Sequence, residues 1–137
     1  MKAQPFRFID FFAIDGRDTM APEHIWMVQL QAQHPAVTIV YKDKPICAFG
    51  VVILAGVGAV WMRCCKNPPI FLYRAIYREM CKFLAGVGKG QLRRIEAVVP
   101  AHKNMKFMRR LGFHQDGIAS RYFPDGDGYR WVMLCQS

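Results

Sequence analysis

The sequence lacks any long apolar run. Its most apolar stretch, residues 48–62, is interrupted by three glycines and is shorter than the roughly 20 residues that a membrane helix needs. The first twelve residues carry two basic side chains but no apolar run of the kind found in signal peptides. We therefore expect neither a membrane segment nor export by a signal peptide.

Paired-cysteine motifs are also missing. The five cysteines include no C-x-x-C, and the four histidines show no metal-ligand spacing. Adjacent residues of a strand point to opposite faces, so Cys64 and Cys65 cannot close an ordinary metal site together. We expect no metal site, and reduced, mostly buried thiols in a cytoplasm-like compartment.

Acidic residues are scarce, at 10 Asp and Glu against 19 Lys and Arg, which gives a formal net charge of +9. The imbalance lies in residues 63–110, where twelve basic residues face two glutamates. Two stripes at three- and four-residue spacing carry much of it. They are Arg74, Arg78 and Lys82, and then Lys103, Lys106 and Arg110.

Two interpretations of this basic region stay open. It is either a solvated helix face or a surface that attracts an acidic partner, such as a phosphate-bearing ligand, nucleic acid or an acidic protein. The sequence has no RNA-binding signature, so nucleic-acid contact is expected to be non-specific at most. The segment Gly86-Val87-Gly88-Lys89-Gly90 imitates part of a P-loop but follows a helical pattern, which favours a helix C-terminal turn.

The rest of the composition is that of one folded domain over residues 1–137, with 53% hydrophobic and 21% charged residues. Apolar periodicity and turn residues predict an element order of β-α-β-β-β-α-β-α-β-β. The predicted strands are residues 6–13, 37–41, 45–54, 59–65, 92–99, 113–120 and 129–135. The predicted helices are residues 22–33, with Thr19 as a candidate cap, 71–85 and 102–111.

This order resembles the GNAT (N-acetyltransferase) fold over nearly the whole chain. The most specific segment is KFMRRLGF at residues 106–113, similar to the family's helix that ends in Leu-Gly-Phe. The stretch from PICAFGV at residues 45–51 through Trp61 and Met62 is similar to a phage GNAT-like group that includes small internal virion proteins of short-tailed phages. The resemblance implies a single α/β domain with a mixed, mostly antiparallel sheet and helices on both faces. Residues 59–65 and 92–99 would form its one splayed parallel strand pair.

The resemblance also implies acetyl-CoA as cofactor, although the pyrophosphate segment departs from the family pattern. Members of the family cradle the pyrophosphate on backbone amides of an Arg/Gln-x-x-Gly-x-Gly/Ala loop at a helix start. Residues 63–69 here contain no glycine, and Pro68 and Pro69 remove two amide donors. The cofactor-binding positions implied by the resemblance are Met62, Cys64, Lys66, Asn67, Ala101 and Asn104.

The proton-transfer groups of the family are replaced as well. Ala101 stands where the family usually has Asn, and Met108 stands where many members have a general-acid Tyr. Glu96 is the candidate base, acting directly or through water, with an ion pair to Arg94 or to a cation on a neighbouring strand as the alternative. Tyr122 is the second catalytic candidate.

Two functions therefore stay open. In the first, the chain is a phage protein that keeps the GNAT scaffold with a degenerate acyl-CoA site as an interaction module. Its partners would be phage or host proteins with an acidic surface, in the virion or the cytoplasm of the infected host cell. In the second, it is an acetyl-CoA-dependent N-acyltransferase, transferring an acyl group to an amine through an atypical pyrophosphate loop.

Overall fold

A computed structural model describes residues 1–17, 19–90, 92–100 and 104–135, with Glu23 described by its backbone alone. Its strands are β1 (Lys2–Pro5), β2 (Ala36–Tyr41), β3 (Lys44–Leu54), β4 (Val57–Cys64), β5 (Arg94–Pro100), β6 (His114–Phe123) and β7 (Gly126–Leu134). Its α-helices are α1 (Asp10–Asp15), α2 (Pro22–Ala32), α3 (Tyr73–Gly88) and α4 (Met105–Leu111), and a 3₁₀ turn at Ile70–Leu72 precedes α3.

Across the described ranges, the strands form one seven-stranded sheet in the order β1-β2-β3-β4-β5-β7-β6. Neighbours are antiparallel at β1/β2, β2/β3, β5/β7 and β6/β7, whereas β4 and β5 run parallel, with residues 57–59 beside residues 94–96. The long helix α3 connects the parallel strands, as a crossover requires. The predicted α/β class and parallel pair are confirmed, and the divergence of the two strands beyond these residues stays a prediction.

Residue contacts divide the chain into two compact units. The first comprises Met1–Val52 and Val60–Lys82, and the second comprises Ile53–Ala59 and Phe83–Ser137. In the first unit, β3 buries six consecutive residues, 46–51, so both of its faces are covered. Residues of α1, α2 and the segment after β1 pack together with Ala48 in the core of this unit.

Gly50 allows the close approach of chain segments in this core. A Cβ atom at residue 50 would lie 2.6 Å from the Cβ of Ala36, 2.8 Å from the carbonyl oxygen of Pro35 and 2.9 Å from the ring of Trp61. Two of these neighbours are backbone-fixed atoms that cannot move aside without shifting a strand. Glycine is therefore required at this position.

We expect Gly50→Ala to lower the free energy of unfolding by about 2 kcal/mol, because the added methyl overpacks a closed site. Gly86→Ala is the matched control. Gly86 is helical in α3, and a Cβ there meets nothing within 4 Å, so the change should stabilise by about 0.5–1 kcal/mol. Urea unfolding of both variants measures the difference. Equal midpoints would contradict this account of Gly50.

The second unit buries apolar residues of β5, α4 and β7, among them Ile95, Met108 and Trp131. Helix α4 ends at Gly112, which has a φ of 100°. The amide of Gly112 donates to the carbonyl of Arg109 at 3.0 Å, and the amide of Phe113 donates to the carbonyl of Met108 at 3.0 Å. Gly112 thus ends the helix in the left-handed conformation that is typical of a C-terminal glycine.

The prediction of a strand over residues 6–13 is wrong. The first strand is β1, and Asp10–Asp15 forms the helix α1. Phe11 and Ile14, three residues apart, are buried together, and the Asp10 carboxylate accepts the Arg7 amide just before the helix. The aromatic residues of this segment favour strands by propensity, but this packing determines the structure.

Smaller differences concern the ends of elements. Thr19 does not cap α2, because the helix begins after Ala21 with Pro22 in its first turn. Helix α3 continues through Gly86 to Gly88, so the P-loop imitation at residues 86–90 includes a helix C-terminus, as the alternative predicted. Residues 102 and 103, the start of the predicted helix 102–111, lie outside the described residues.

Candidate functional site

The candidate cofactor segment begins where β4 ends. It passes through the exposed Lys66 and Asn67 and reaches α3 through Pro68 and Pro69. Asn67 has a left-handed φ of 55°, a conformation that asparagine tolerates better than most residues. The segment therefore presents one cationic and one amide side chain ahead of the helix.

The first backbone hydrogen bonds of this helix start begin at Leu72, which leaves the two preceding amides, those of Ile70 and Phe71, ahead of the turn. The amide of Leu72 donates to the carbonyl of Pro69 at 3.0 Å, and the amide of Tyr73 donates to the carbonyl of Ile70. Ile70 and Phe71 come before the donors that close this turn, so their amides have no carbonyl of the same turn to bind. Together with Lys66, these two amides are the donors that the segment offers to a phosphate group.

Strand alternation separates the side chains of β4. Arg63 lies over the Phe11 ring, with its guanidinium carbon 4.7 Å from the ring centroid. Burial lowers the pKa of Arg63, and the nearby Asp15 carboxylate partly opposes that effect. Met62, which is 39% exposed, and Cys64 alternate with Arg63 and so project to the opposite face.

Cys64 has a partner that the sequence did not reveal. Its sulfur lies 3.3 Å from the sulfur of Cys47 on β3. This hydrogen bond lowers the pKa of Cys64 and raises the pKa of the buried Cys47. The turn between β3 and β4 consists of Ala55 and Gly56 alone. A two-residue turn sets residue 47 opposite residue 64, so the correct turn length would have predicted this contact.

In the second unit, the carboxylate of Glu96 lies 2.8 Å from the guanidinium of Arg94. The same guanidinium contacts the Asp116 carboxylate at 3.2 Å. The ion pair predicted as the alternative for Glu96 is thus confirmed. Both side chains of the pair are about one third exposed, at 31% and 34%, which leaves Glu96 accessible to water.

Tyr122 lies at a different point of the sheet. It is 59% exposed on β6 and packs edge to face on Phe123. The sheet register sets Gly128 of β7 beside both Ala119 of β6 and Pro100 of β5. Tyr122 is therefore near the Pro100 end of β5, four residues and about 13 Å along the strand from Glu96. The structure does not bring the two catalytic candidates into hydrogen-bond contact.

The remaining candidates surround α4. Met108, at the family's Tyr position, is buried at 4% exposure. Asn104 is exposed with a left-handed φ of 59°, and its carbonyl accepts the Met108 amide at 2.9 Å. Ala101 lies outside the described residues. This part of the chain offers a thioether where a phenol would act as general acid, so Met108 cannot donate a proton.

The basic stripes are exposed on their helices. Arg74, Arg78 and Lys82 are exposed on α3, with Lys82 held 3.5 Å from Glu79. On α4, Lys106, Arg109 and Arg110 are exposed, whereas Lys103 is not described. Of the described helices, none is long and apolar enough to cross a membrane. Nor do three His, Cys, Asp or Glu side chains gather as metal ligands in the described part of the chain.

Comparison with known proteins identifies the fold. The sequence matches no protein-family model and no curated protein, but many solved structures share its architecture. The ribosomal-protein-S18-alanine N-acetyltransferase of Escherichia coli aligns with a TM-score of 0.76 at 11% identity, over 99% of this chain and 94% of its own. Ard1 of Thermoplasma volcanium gives 0.76 at 9% identity over 99% and 98%.

A third similar structure has a different activity. The GNAT-like decarboxylase GphF, in complex with isobutyryl-CoA, aligns with a TM-score of 0.73 at 12% identity over 99% of this chain and 100% of its own. At these identities the likeness is one of fold. The chain has the GNAT fold, and its local chemistry depends on its own residues.

Proposed function

We propose that the chain is an acyl-CoA-dependent N-acyltransferase with an atypical pyrophosphate segment. The observation that carries the proposal is the parallel β4/β5 pair joined through α3, in a fold similar over nearly its full length to N-acetyltransferases. Acetyl-CoA, when bound, supplies an acyl group activated as a thioester. Lys66 and the amides of Ile70 and Phe71 would hold its phosphates at the start of α3.

In this proposal, Glu96 accepts the proton that the acceptor amine loses, directly or through a water molecule. Its partial exposure admits water, and the Arg94 guanidinium, 2.8 Å away, fixes the position of the carboxylate. Met62 and Cys64 would border the pantetheine arm from β4, and Asn104 would contact the cofactor from the start of α4. Tyr122, which is too far from Glu96 to share a proton with it, would contact the acceptor amine.

The test separates binding from chemistry. Calorimetry with acetyl-CoA should give a dissociation constant in the high micromolar range, since a missing phosphate clamp of a few kcal/mol weakens binding by two or more orders of magnitude. Glu96→Gln should lower turnover on a panel of amines and peptide N-termini by about a hundredfold and leave acetyl-CoA binding nearly intact. Asp116→Asn, which removes the other carboxylate at Arg94, is the matched control.

Unchanged turnover in Glu96→Gln would remove Glu96 from its proposed role. Binding in the low micromolar range would contradict the weakness attributed to the two prolines. No acetyl-CoA binding at millimolar concentration would overturn the acyltransferase proposal itself.

A second candidate function is a non-catalytic interaction module, acting in a virion or in an infected host cell as the phage resemblance implies. Two observations favour it. Glu96 is engaged by Arg94, and the buried Met108 supplies no proton. The exposed cations of α3 and α4 would then attract an acidic phage or host protein.

Charge reversal tests the second candidate. Arg78→Glu with Lys106→Glu should weaken co-purification with phage particles from infected cells at least tenfold, and wild-type association should fall as salt rises, because screening acts over about 8 Å at physiological salt. Both residues are exposed, so stability should change by only about 0.5 kcal/mol for each. Lys2→Glu with Lys44→Glu, exposed and outside residues 63–110, is the control of equal charge change. Equal loss in both pairs, or salt-independent association, would contradict a role for the basic helices.

A further inference from the structure

The end of β4 brings two cysteines of neighbouring strands into contact. The sulfur of Cys64 lies 3.3 Å from the sulfur of Cys47. The Cys65 amide donates to the Ile46 carbonyl at 2.9 Å, which agrees with the register set by the two-residue turn between β3 and β4. Cys47 and Cys64 therefore face each other directly across adjacent strands.

The two thiols differ in accessibility and in acidity. Cys47 is fully buried, whereas Cys64 is exposed. When Cys64 is ionised, the buried Cys47 S–H donates a hydrogen bond to it. That bond lowers the pKa of Cys64 and, together with burial, raises the pKa of Cys47. Cys64 is thus the nucleophile of the pair, and the buried Cys47 thiol stays protonated.

We propose that Cys64 and Cys47 form a reactive dithiol site whose substrates are low-molecular-weight disulfides of the oxidised glutathione type. The Cys64 thiolate attacks one sulfur of the small disulfide, its S–S bond breaks, and the first small thiolate leaves and is protonated. The Cys47 thiol then gives up its proton and attacks the Cys64 sulfur, which displaces the second small thiol. The protein loses two electrons and gains one S–S bond, and the small disulfide is reduced to two thiols.

The geometry favours closure of a bond between Cys47 and Cys64. A disulfide needs the two sulfurs at about 2.05 Å, so they have to approach by only about 1.3 Å from their present separation. The mixed disulfide at Cys64 also removes the negative charge and the hydrogen bond that raise the pKa of Cys47, which makes the second attack easier. Cys65 is a poorer competitor, because burial and the neighbouring Cys64 raise its pKa.

The experiment exposes the full reduced chain to a series of ratios of reduced to oxidised glutathione, then blocks free thiols by alkylation and maps the peptides by mass spectrometry. We expect a cross-linked peptide joining residues 47 and 64 to form in a single two-electron transition. In the reduced chain at pH 7, Cys64 should be alkylated about tenfold faster than Cys135, whose pKa is raised by burial.

Two variants keep the result interpretable. Cys47→Ala removes the second attack, so glutathione should stay attached to Cys64 as a mixed disulfide. Cys65→Ser should leave the cross-link unchanged. The proposal is overturned if residues 47 and 64 are recovered separately alkylated at every ratio, or if Cys64 is instead cross-linked to Cys65 or to a second chain. It is equally overturned if Cys47→Ala retains no glutathione.

Discussion

Replacing Asp10 with alanine is expected to lower the free energy of unfolding by about 3 kcal/mol, and the melting temperature by about 10 °C. Asp10 is 1% exposed, and its carboxylate accepts the hydroxyl of Thr38 at 2.8 Å and the amide of Arg7 at 2.9 Å. The Arg7 guanidinium lies 3.2 Å from its other oxygen. Alanine would leave the buried Thr38 hydroxyl and the Arg7 amide without this acceptor.

Asp10→Asn tests whether charge or shape matters. Asparagine keeps the size and one acceptor oxygen, so we expect about half of the loss seen with alanine. Asp15→Ala is the matched control from the same helix. Its carboxylate pairs at 3.1 Å with the exposed Arg17, and exposed pairs contribute about 0–1 kcal/mol. Thermal unfolding that ranks Asp15→Ala as damaging as Asp10→Ala would show that α1 is not anchored through Thr38.

The Asp10 contacts also explain why the first part of the chain was mispredicted. The residues around Asp10 are rich in phenylalanine and isoleucine, which favour strands by propensity. The carboxylate that joins this segment to β2 acts across 28 residues of sequence, and no local window contains that partner. The prediction therefore failed where a long-range hydrogen bond outweighs local preference.

The second half of the fold was easier to predict because its signals are local. The spacing of Leu72, Ile76, Met80 and Leu84 predicts one helix face, and all four are buried. Gly112 marks the end of α4 in the sequence, and its φ of 100° requires the conformational freedom of glycine. Both signals lie within a few residues of the structure that they determine.

The contact between Cys47 and Cys64 depends both on a local turn and on a residue that is distant in sequence. The predicted strands 45–54 and 59–65 leave four residues, 55–58, for the turn, and that length puts residues 47 and 64 out of register. The structure has a two-residue turn, with left-handed φ values of 52° at Ala55 and 80° at Gly56. Alanine is unusual there, and Arg93 donates to the carbonyls of both turn residues. One distant arginine thus helps to fix the register that joins Cys47 to Cys64.

The candidate cofactor segment supplies the second large expected effect. Pro68→Ala with Pro69→Ala restores two backbone amides ahead of Ile70 and Phe71, and we expect it to tighten acetyl-CoA binding by about tenfold. A hydrogen bond to a charged group contributes about 1.5–3 kcal/mol, and about 1.4 kcal/mol corresponds to a tenfold change in Kd. The flexibility gained by losing each proline opposes this by about 0.4–1 kcal/mol.

Two controls test whether the effect of the two prolines depends on the phosphate groups. One is a ligand without phosphate, and the other is a proline elsewhere in the chain. Acetyl-pantetheine lacks the pyrophosphate, so its affinity should be the same for wild type and the double variant. Pro124→Ala, in the exposed turn between β6 and β7, should leave acetyl-CoA binding unchanged. Calorimetry with both ligands gives the comparison. If acetyl-pantetheine tightens as much as acetyl-CoA, the prolines act on the rigidity of the segment and not on its amide donors. If neither ligand tightens, the pyrophosphate does not bind at the start of α3, and Lys66 and the amides of Ile70 and Phe71 lose their proposed role with it.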